Sequence, residues 1–287
     1  MNNSKGALLI ARNNGQIDYV KQAVFLAKRI KTYLDIPTTV ITDSIDYLKN
    51  SFDCSIFDQI LEIDYTEGGN NRSYFDGSLA HKTAPFKNDI RDLAYDLSPY
   101  EQTLLMDTDY IISNSLLKNC FESENDFMLF KESYDMSKTR NETEFQHISD
   151  YSIDFYWATV VFFRKTETNK VFFDLVKHIK KEWRHYRQVY QISSALFRND
   201  FAFSIAIHIM NGFEQGDFAK PLPGKHYYTI DRDLVYEIKD DQMLFLVEKK
   251  DYLGEYVPIR TKGMNVHVMN KISLERILNK EAADGKI

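Results

Sequence analysis

Apolar positions along the chain follow two periods, and they alternate. Ala7-Leu8-Leu9-Ile10-Ala11 is an unbroken apolar run, as expected of a strand buried on both faces, and Asn13-Asn14-Gly15 breaks it. Ile17, Val20, Val24, Ala27, Ile30 and Leu34 then recur at helical spacing until Pro37. Thr38-Thr39-Val40-Ile41-Thr42 is β-branched throughout and ends at Asp43. Ile60-Leu61-Glu62-Ile63 reads as a third strand. Strand, helix, strand, strand in this order predicts a parallel sheet with helices packed on it.

The polar stretch Glu67-Gly68-Gly69-Asn70-Asn71-Arg72-Ser73 is the clearest loop. Phe86, Ile90, Leu93 and Leu97 predict a helix over about residues 85–97, ended by Ser98-Pro99-Tyr100. Thr103-Leu104-Leu105-Met106 predicts a buried strand that runs straight into Asp107-Thr108-Asp109. Residues 131–150 are polar and lack a period. Thr159-Val160-Val161-Phe162-Phe163 predicts a strand. Phe172, Leu175, Val176, Ile179 and Trp183 mark a helix after it. A mostly buried helix is expected over 200–211, and Met243-Leu244-Phe245-Leu246-Val247 reads as a late strand. No repeat and no long linker interrupts this, so one α/β domain over residues 1–287 is expected.

Composition narrows the class. With 20 Phe and 18 Tyr in 287 residues, the chain carries too much apolar surface for a disordered coil. No apolar run approaches the ~20 residues of a membrane span, and the run at 6–11 is too short for a signal-peptide core. Cys54 and Cys120 are the only cysteines and no C-x-x-C occurs, so a reducing, cytoplasmic setting is expected. A net charge of −6 speaks against nucleic-acid binding over the whole surface. A local exception is the stretch 177–187, where Lys177, Lys180, Lys181, Arg184 and Arg187 outnumber Glu182, with His178, His185 and Tyr186 among them. It reads either as a solvated helix face or as a surface for a nucleic acid, an anionic lipid or a glycan.

Asp107 and Asp109 carry the strongest chemical signal. Carboxylates one residue apart repel, and burying either is costly without a partner. A hard divalent cation such as Mg²⁺ or Mn²⁺ removes that cost and brings phosphate oxygens with it. A second Asp-x-Asp, Asp231-Arg232-Asp233, has an arginine between its carboxylates. Asp107 instead follows an apolar strand, which places it at the carboxyl edge of the sheet, where open α/β folds bind ligands. The competing reading is a solvated turn at the strand end.

The segment Ser98-Pro99-Tyr100-Glu101-Gln102-Thr103-Leu104-Leu105-Met106-Asp107-Thr108-Asp109-Tyr110-Ile111-Ile112 resembles the metal-binding segment of GT-A-fold nucleotide-sugar glycosyltransferases. It is most similar to the family 8 group, which includes glycogenin and bacterial lipooligosaccharide galactosyltransferases. Other segments agree in order: a first strand ending in Ala11-Arg12-Asn13, a second ending at Asp43, Asn199-Asp200 opening a helix, and Val266-His267-Val268-Met269-Asn270-Lys271 near the end. Two departures stand out. The family's N-A-G triplet is Trp157-Ala158-Thr159 here. The glycine three residues after the closing histidine is Asn270, and the lysine six after it is Ser273, while Lys271 lies four after.

The resemblance implies a single GT-A-like, Rossmann-like domain with a mixed, mainly parallel sheet and helices on both faces. Residues of about 1–115 would bind nucleotide and about 116–287 acceptor. It implies transfer of a sugar from a nucleoside diphosphate, UDP most of all, to a hydroxyl of a glycan, a lipid-linked sugar or a modified nucleic acid. It assigns His267 as third ligand beside Asp107 and Asp109, to Mn²⁺ or Mg²⁺, and Thr108 and Lys271 to the donor. Arg12, Asn13 and Asp43 lie where related enzymes bind nucleoside, although Asp43 also reads as a helix N-cap. Lys82, with Lys87 and Arg91, would neutralise the leaving diphosphate, or else lie on a solvated face paired with Asp89 and Asp92. Asp200, in an apolar setting, would take the acceptor proton or cap its helix. A loop within 67–82 or 131–150 would exclude water. Two other readings remain: a sugar-nucleotide nucleotidyltransferase, which Asn13-Asn14-Gly15-Gln16 fits poorly because it has one glycine and no cations, and a non-catalytic nucleotide-sugar-binding protein on the same fold.

Overall fold

The computed structural model describes residues 4–64, 71–137, 140, 145–149 and 152–283. Residues 67–70 of the first predicted loop, and 138–139, 141–144 and 150 of the second, lie outside the described residues. β1 (Lys5–Ile10) passes through α1 (Tyr19–Tyr33) to β2 (Thr38–Thr42), and α2 (Ile45–Ser51) leads to β3 (Gln59–Glu62). These strands pair in parallel, β1 with β2 and β2 with β3. Every residue of β2 is buried, as its unbroken β-branched run requires. Asp18 starts α1 by accepting the Lys21 N–H at 2.9 Å.

An antiparallel hairpin follows, β4 (Asn71–Phe75) with β5 (His81–Pro85). The helix predicted over 85–97 is reduced to a 3-10 turn at Arg91–Leu93 and the single turn of α3 (Ala94–Leu97). The cause lies in where the polar side chains go. Asn88 accepts the Arg12 backbone N–H at 2.9 Å, and Arg91 turns inward to the strands. Both bonds hold the segment in an irregular path against the sheet. β6 (Gln102–Met106) then runs through the core, with β7 (Tyr110–Ile111), β8 (Phe127–Phe130), β9 (Ser133–Asp135) and β10 (Trp157–Arg164) after it.

α4 (Glu167–Lys181) and α5 (Trp183–Val189) occupy the region predicted as one helix. α6 (Asn199–Met210) is the expected buried helix. The chain closes with β11 (Lys220–Pro221), β12 (His226–Thr229), β13 (Leu234–Lys239), β14 (Gln242–Glu248), β15 (Tyr256–Lys262), β16 (Val266–Val268) and α7 (Lys271–Ala283). The central sheet has seven strands in the order β11-β8-β10-β6-β1-β2-β3. It is mixed and mainly parallel, because only β10 runs antiparallel to its neighbours β6 and β8. Helices flank it, so the expected α/β class holds. A smaller sheet, β7-β16-β12-β9, and an antiparallel one, β13-β14-β15, complete the structure. No helix among the described residues is long and apolar enough to cross a membrane.

Two core positions generate predictions. Gly6 in β1 lies against the Tyr100 ring, so that a Cβ there would sit inside van der Waals contact. Tyr100 cannot withdraw freely, because its buried hydroxyl lies 2.8 Å from Thr39 Oγ1. Gly6→Ala should therefore cost about 1–3 kcal/mol in urea unfolding, and less when made on a Tyr100→Leu background.

His226 is fully buried against Trp157 and Phe130, and neither ring nitrogen has a hydrogen-bond partner among the described residues. Burial first, and the neighbouring His267 second, hold its pKa well below 6.5. The unfolded chain takes up this proton near 6.5 and the folded chain does not, so stability present above that pH is lost as pH falls below it. His226→Leu should flatten that acid slope by up to about 1.4 kcal/mol per pH unit, measured as unfolding free energy between pH 7 and 5.

Candidate active site

The site begins at the carboxyl end of β6, which β1 flanks in parallel and β10 in antiparallel. Asp107 continues the ladder one step, donating its N–H to Thr159 O at 2.8 Å, and its own carbonyl accepts from Tyr110 N at 3.1 Å. Between the two carboxylates, Thr108 donates its hydroxyl to Gln22 Oε1 of α1 at 3.1 Å. The remaining element arrives from far along the chain. β16 pairs with β7, setting His267 opposite Tyr110, and Val268 N–H bonds Asp109 O at 3.0 Å.

Asp107, Asp109 and His267 each offer one ligand atom, and these atoms lie within 4.8 Å of one another. Asp109 is almost fully buried; its Oδ2 is 2.6 Å from Lys271 Nζ and 3.5 Å from His267 Nε2. Burial alone would raise its pKa, but Lys271 and His267 overcome that and hold the carboxyl far below the usual range. Asp107 is held above its ordinary value, by burial first and by the charge of Asp109, although Arg91 pulls it down. Arg91 Nη2 lies 2.5 Å from Asp107 Oδ1, and Arg91 also donates to the Ala158 carbonyl. The pair thus joins one carboxylate that stays ionised to one that ionises reluctantly. Thr159 Oγ1 lies 3.4 Å from His267 Nδ1, and the Trp157 ring packs edge-on at 5.6 Å, so Nε2 is the nitrogen facing Asp109. Two carboxylates and an imidazole form a donor set that suits a first-row divalent cation.

A cavity of about 780 Å³ opens in front of these groups. Asp107, Thr108, Asp109, Asp200, His267 and Lys271 all line it. Asp200 stands in the first turn of α6 and makes no cap bond; its Oδ1 accepts the Ala158 N–H at 2.9 Å and its Oδ2 lies 3.1 Å from Arg198. Arg12, Asn13, Asp43 and Lys82 are not among the lining residues. Arg12 is buried beside it, 3.3 Å from Asp43 and donating to Lys87 O at 2.6 Å. Asp43 is not a helix cap, since Ser44 starts α2. Asn13 accepts the Val20 N–H at 3.0 Å at the start of α1. Lys82 is exposed on β5.

Arg91, expected either to neutralise a diphosphate or to lie on a solvated face, is buried and bound to Asp107. The sequence signals pass over one group. Arg72 lines the cavity from β4, inside a stretch read as a plain loop. In the basic stretch, Lys177 pairs with Asp96 and Asp174, and Lys180 with Asp89 and Asp92. Arg187 donates to the carbonyls of Ile192 and Ser193. Lys177, Lys180 and Arg187 are thus engaged within the fold, while Lys181 and Arg184 of the same stretch are exposed.

No family model and no curated protein matches the chain. Among solved structures it is similar to the glycosyltransferase GlyE of Streptococcus pneumoniae TIGR4, at 12% identity and a TM-score of 0.41, over 77% of this chain and 45% of that one. The chain therefore spans less than half the length of that match.

Calorimetry with MnCl₂ should find one site. Asp109→Asn and His267→Ala should each weaken it by at least about tenfold, the equivalent of 1.4 kcal/mol, with the fold intact by circular dichroism.

Proposed function

We propose that this chain is a metal-dependent glycosyltransferase that moves a sugar from a nucleoside diphosphate to an acceptor hydroxyl. One observation carries the reading: Asp107, Asp109 and His267 converge within 4.8 Å on the wall of the 780 Å³ cavity. The charges there support it. Arg72, Arg91, Arg198 and Lys271 face Asp107, Asp109 and Asp200, so a divalent cation would leave the wall positive by about the charge of a diphosphate. The imidazole ligand favours Mn²⁺ over Mg²⁺. When bound, the cation supplies Lewis-acid stabilisation to the phosphate oxygens.

The residues of the chain do the rest. Lys271 takes a phosphate oxygen, while Arg12, Asn13 and Asp43 receive the nucleoside where β1 and β2 end. The bond from sugar C1 to the β-phosphate oxygen breaks with its electron pair on the phosphate. The acceptor oxygen bonds C1, and Asp200 takes its proton. UDP is the expected carrier, and a glycan, a lipid-linked sugar or a modified nucleic acid the expected acceptor. Placement near family 8 and the division into a nucleotide part of about 1–115 and an acceptor part of about 116–287 go with this reading. So does a cytoplasmic setting, in keeping with the free thiols of Cys54 and Cys120.

The test is a panel of UDP-, GDP- and ADP-sugars incubated with protein and Mn²⁺. Release of the nucleoside diphosphate is expected, abolished by chelation and restored by Mn²⁺. In Asp109→Asn it should fall by at least about a hundredfold, the order reached when a charge-stabilising group is removed from a transition state. Pyrophosphate exchange in place of release would mean nucleotidyl transfer. Silence in both assays, with nucleotide still bound, would mean a binding protein.

A further inference from the structure

Four cationic side chains line the cavity, and three of them are committed to its carboxylates. Arg91 holds Asp107 at 2.5 Å, Lys271 holds Asp109 at 2.6 Å, and Arg198 holds Asp200 at 3.1 Å. Arg72 differs. Its guanidinium sits 5.6 Å from the Phe86 ring, and among the described residues it makes no ion pair within 4.0 Å. It is half-buried on β4, the strand that carries the cavity-lining residues Asn71, Arg72 and Ser73.

The hairpin bearing it is fixed on several sides. Tyr74, two residues on, is buried, and its hydroxyl meets Tyr19 Oη at 3.2 Å and Asn14 Nδ2 at 3.1 Å. Asn14 Nδ2 also donates to Pro85 O at 2.9 Å, which ties β5 down. At the tip, Asp76 pairs with Arg276 at 2.5 Å and Ser78 bonds Glu248. A long, positively charged side chain is thus carried to the cavity by a braced element and seated on an aromatic face, where a guanidinium loses little of its hydrogen-bonding capacity.

Resting on the glycosyltransferase reading, we infer that Arg72 closes the diphosphate subsite, donating its guanidinium N–H groups to phosphate oxygens of a nucleoside diphosphate. This is the task that sequence position suggested for Lys82, which is exposed and does not line the cavity. The electrostatics agree. Burial lowers the Arg72 pKa, but Asp231, Tyr19, Tyr74 and Asp109 together outweigh it and keep the cation above its ordinary value. Asp231, from the second Asp-x-Asp, thereby acts on this cation rather than on a metal. A planar, forked donor matches two oxygens of one phosphoryl group, so a guanidinium that takes the β-phosphate has nothing to bind on a monophosphate.

The experiment is calorimetry of UDP, GDP, UMP and GMP on protein loaded with MnCl₂, comparing wild type, Arg72→Leu and Arg72→Lys. Arg72→Leu should weaken the diphosphate by about ten- to a hundredfold and the monophosphate by less than about threefold. Arg72→Lys should fall between. Mn²⁺ itself should bind Arg72→Leu as tightly as wild type or more tightly, since a cation near Asp109 has been removed, and this also reports that the variant folds. Diphosphate affinity equal to wild type in Arg72→Leu, or equal losses for mono- and diphosphate, would overturn the assignment while leaving the glycosyltransferase reading in place. Wild-type protein with Mn²⁺ bound but no uptake of either diphosphate would remove both.

Discussion

Two like charges at the end of one buried strand set the terms for everything around them. Asp107 and Asp109 leave β6 where its neighbours on both sides are apolar, and Asp109 is nearly sealed from solvent. Asp109 would lose several kcal/mol of hydration there, and repulsion from the part-exposed Asp107 adds to the loss. The chain answers with Arg91 from before β6 and with His267 and Lys271 from its closing segment. Without them the turn after β6 would have to open to water or give up a carboxylate to protonation. The raised Asp107 carboxyl is what remains of that conflict. A cation between the carboxylates would relieve that repulsion further.

The sheet order makes this possible. β10 inserts antiparallel beside β6 and brings Ala158 and Thr159 alongside Asp107, with the Ala158 N–H on Asp200 and the carbonyls on Arg91. One strand edge thus orients both Arg91 and Asp200 at the cavity. β16 closes the third side through only two paired residues with β7, yet one of them is His267. The small sheet is braced in turn by the buried Arg140, which bridges Asp135 after β9 and Asp233 before β13. Removing one partner from such a buried triad leaves an uncompensated charge, which makes this brace a structural requirement rather than a surface decoration.

How much of this was readable beforehand follows from which forces are local. β1, β2, β6 and β10 appear where apolar runs place them, because a strand buried on both faces needs only a continuous run and breakers at its ends, while the half-exposed edge strand β3 follows from a shorter run. α1 follows its stripe and the stop at Pro37. The helix over 85–97 failed because its apolar spacing was right but its polar residues, Asn88 and Arg91, had partners 76 and 67 or fewer residues away that no local pattern encodes. The hairpin β4–β5 was invisible for a related reason: it contains little apolar alternation and is held by tyrosine and asparagine bonds to α1. In the site, Asp107 and Asp109 announce themselves as a local motif. His267 was reachable only through resemblance, and Arg72 not at all, since an arginine in a polar stretch looks like any solvated cation.

The closing segment has its own physical logic, which starts at Asn270. Its Oδ1 accepts the Ser273 N–H at 2.8 Å, capping α7, and its Nδ2 donates to Asp233 O at 2.9 Å, locking the helix start to the small sheet. Helix α7 begins at the next residue, and Ser273 in its first turn bonds the β13 backbone at Val235. Lys271 then falls on the first residue of the helix, where the helix dipole opposes a cation, and only the buried Asp109 carboxylate at 2.6 Å makes that placement favourable. The Asn270 cap fixes where the helix starts, and so carries the Lys271 cation to Asp109. On the other wall, the Trp157 ring edge and the Thr159 hydroxyl hold His267 in place.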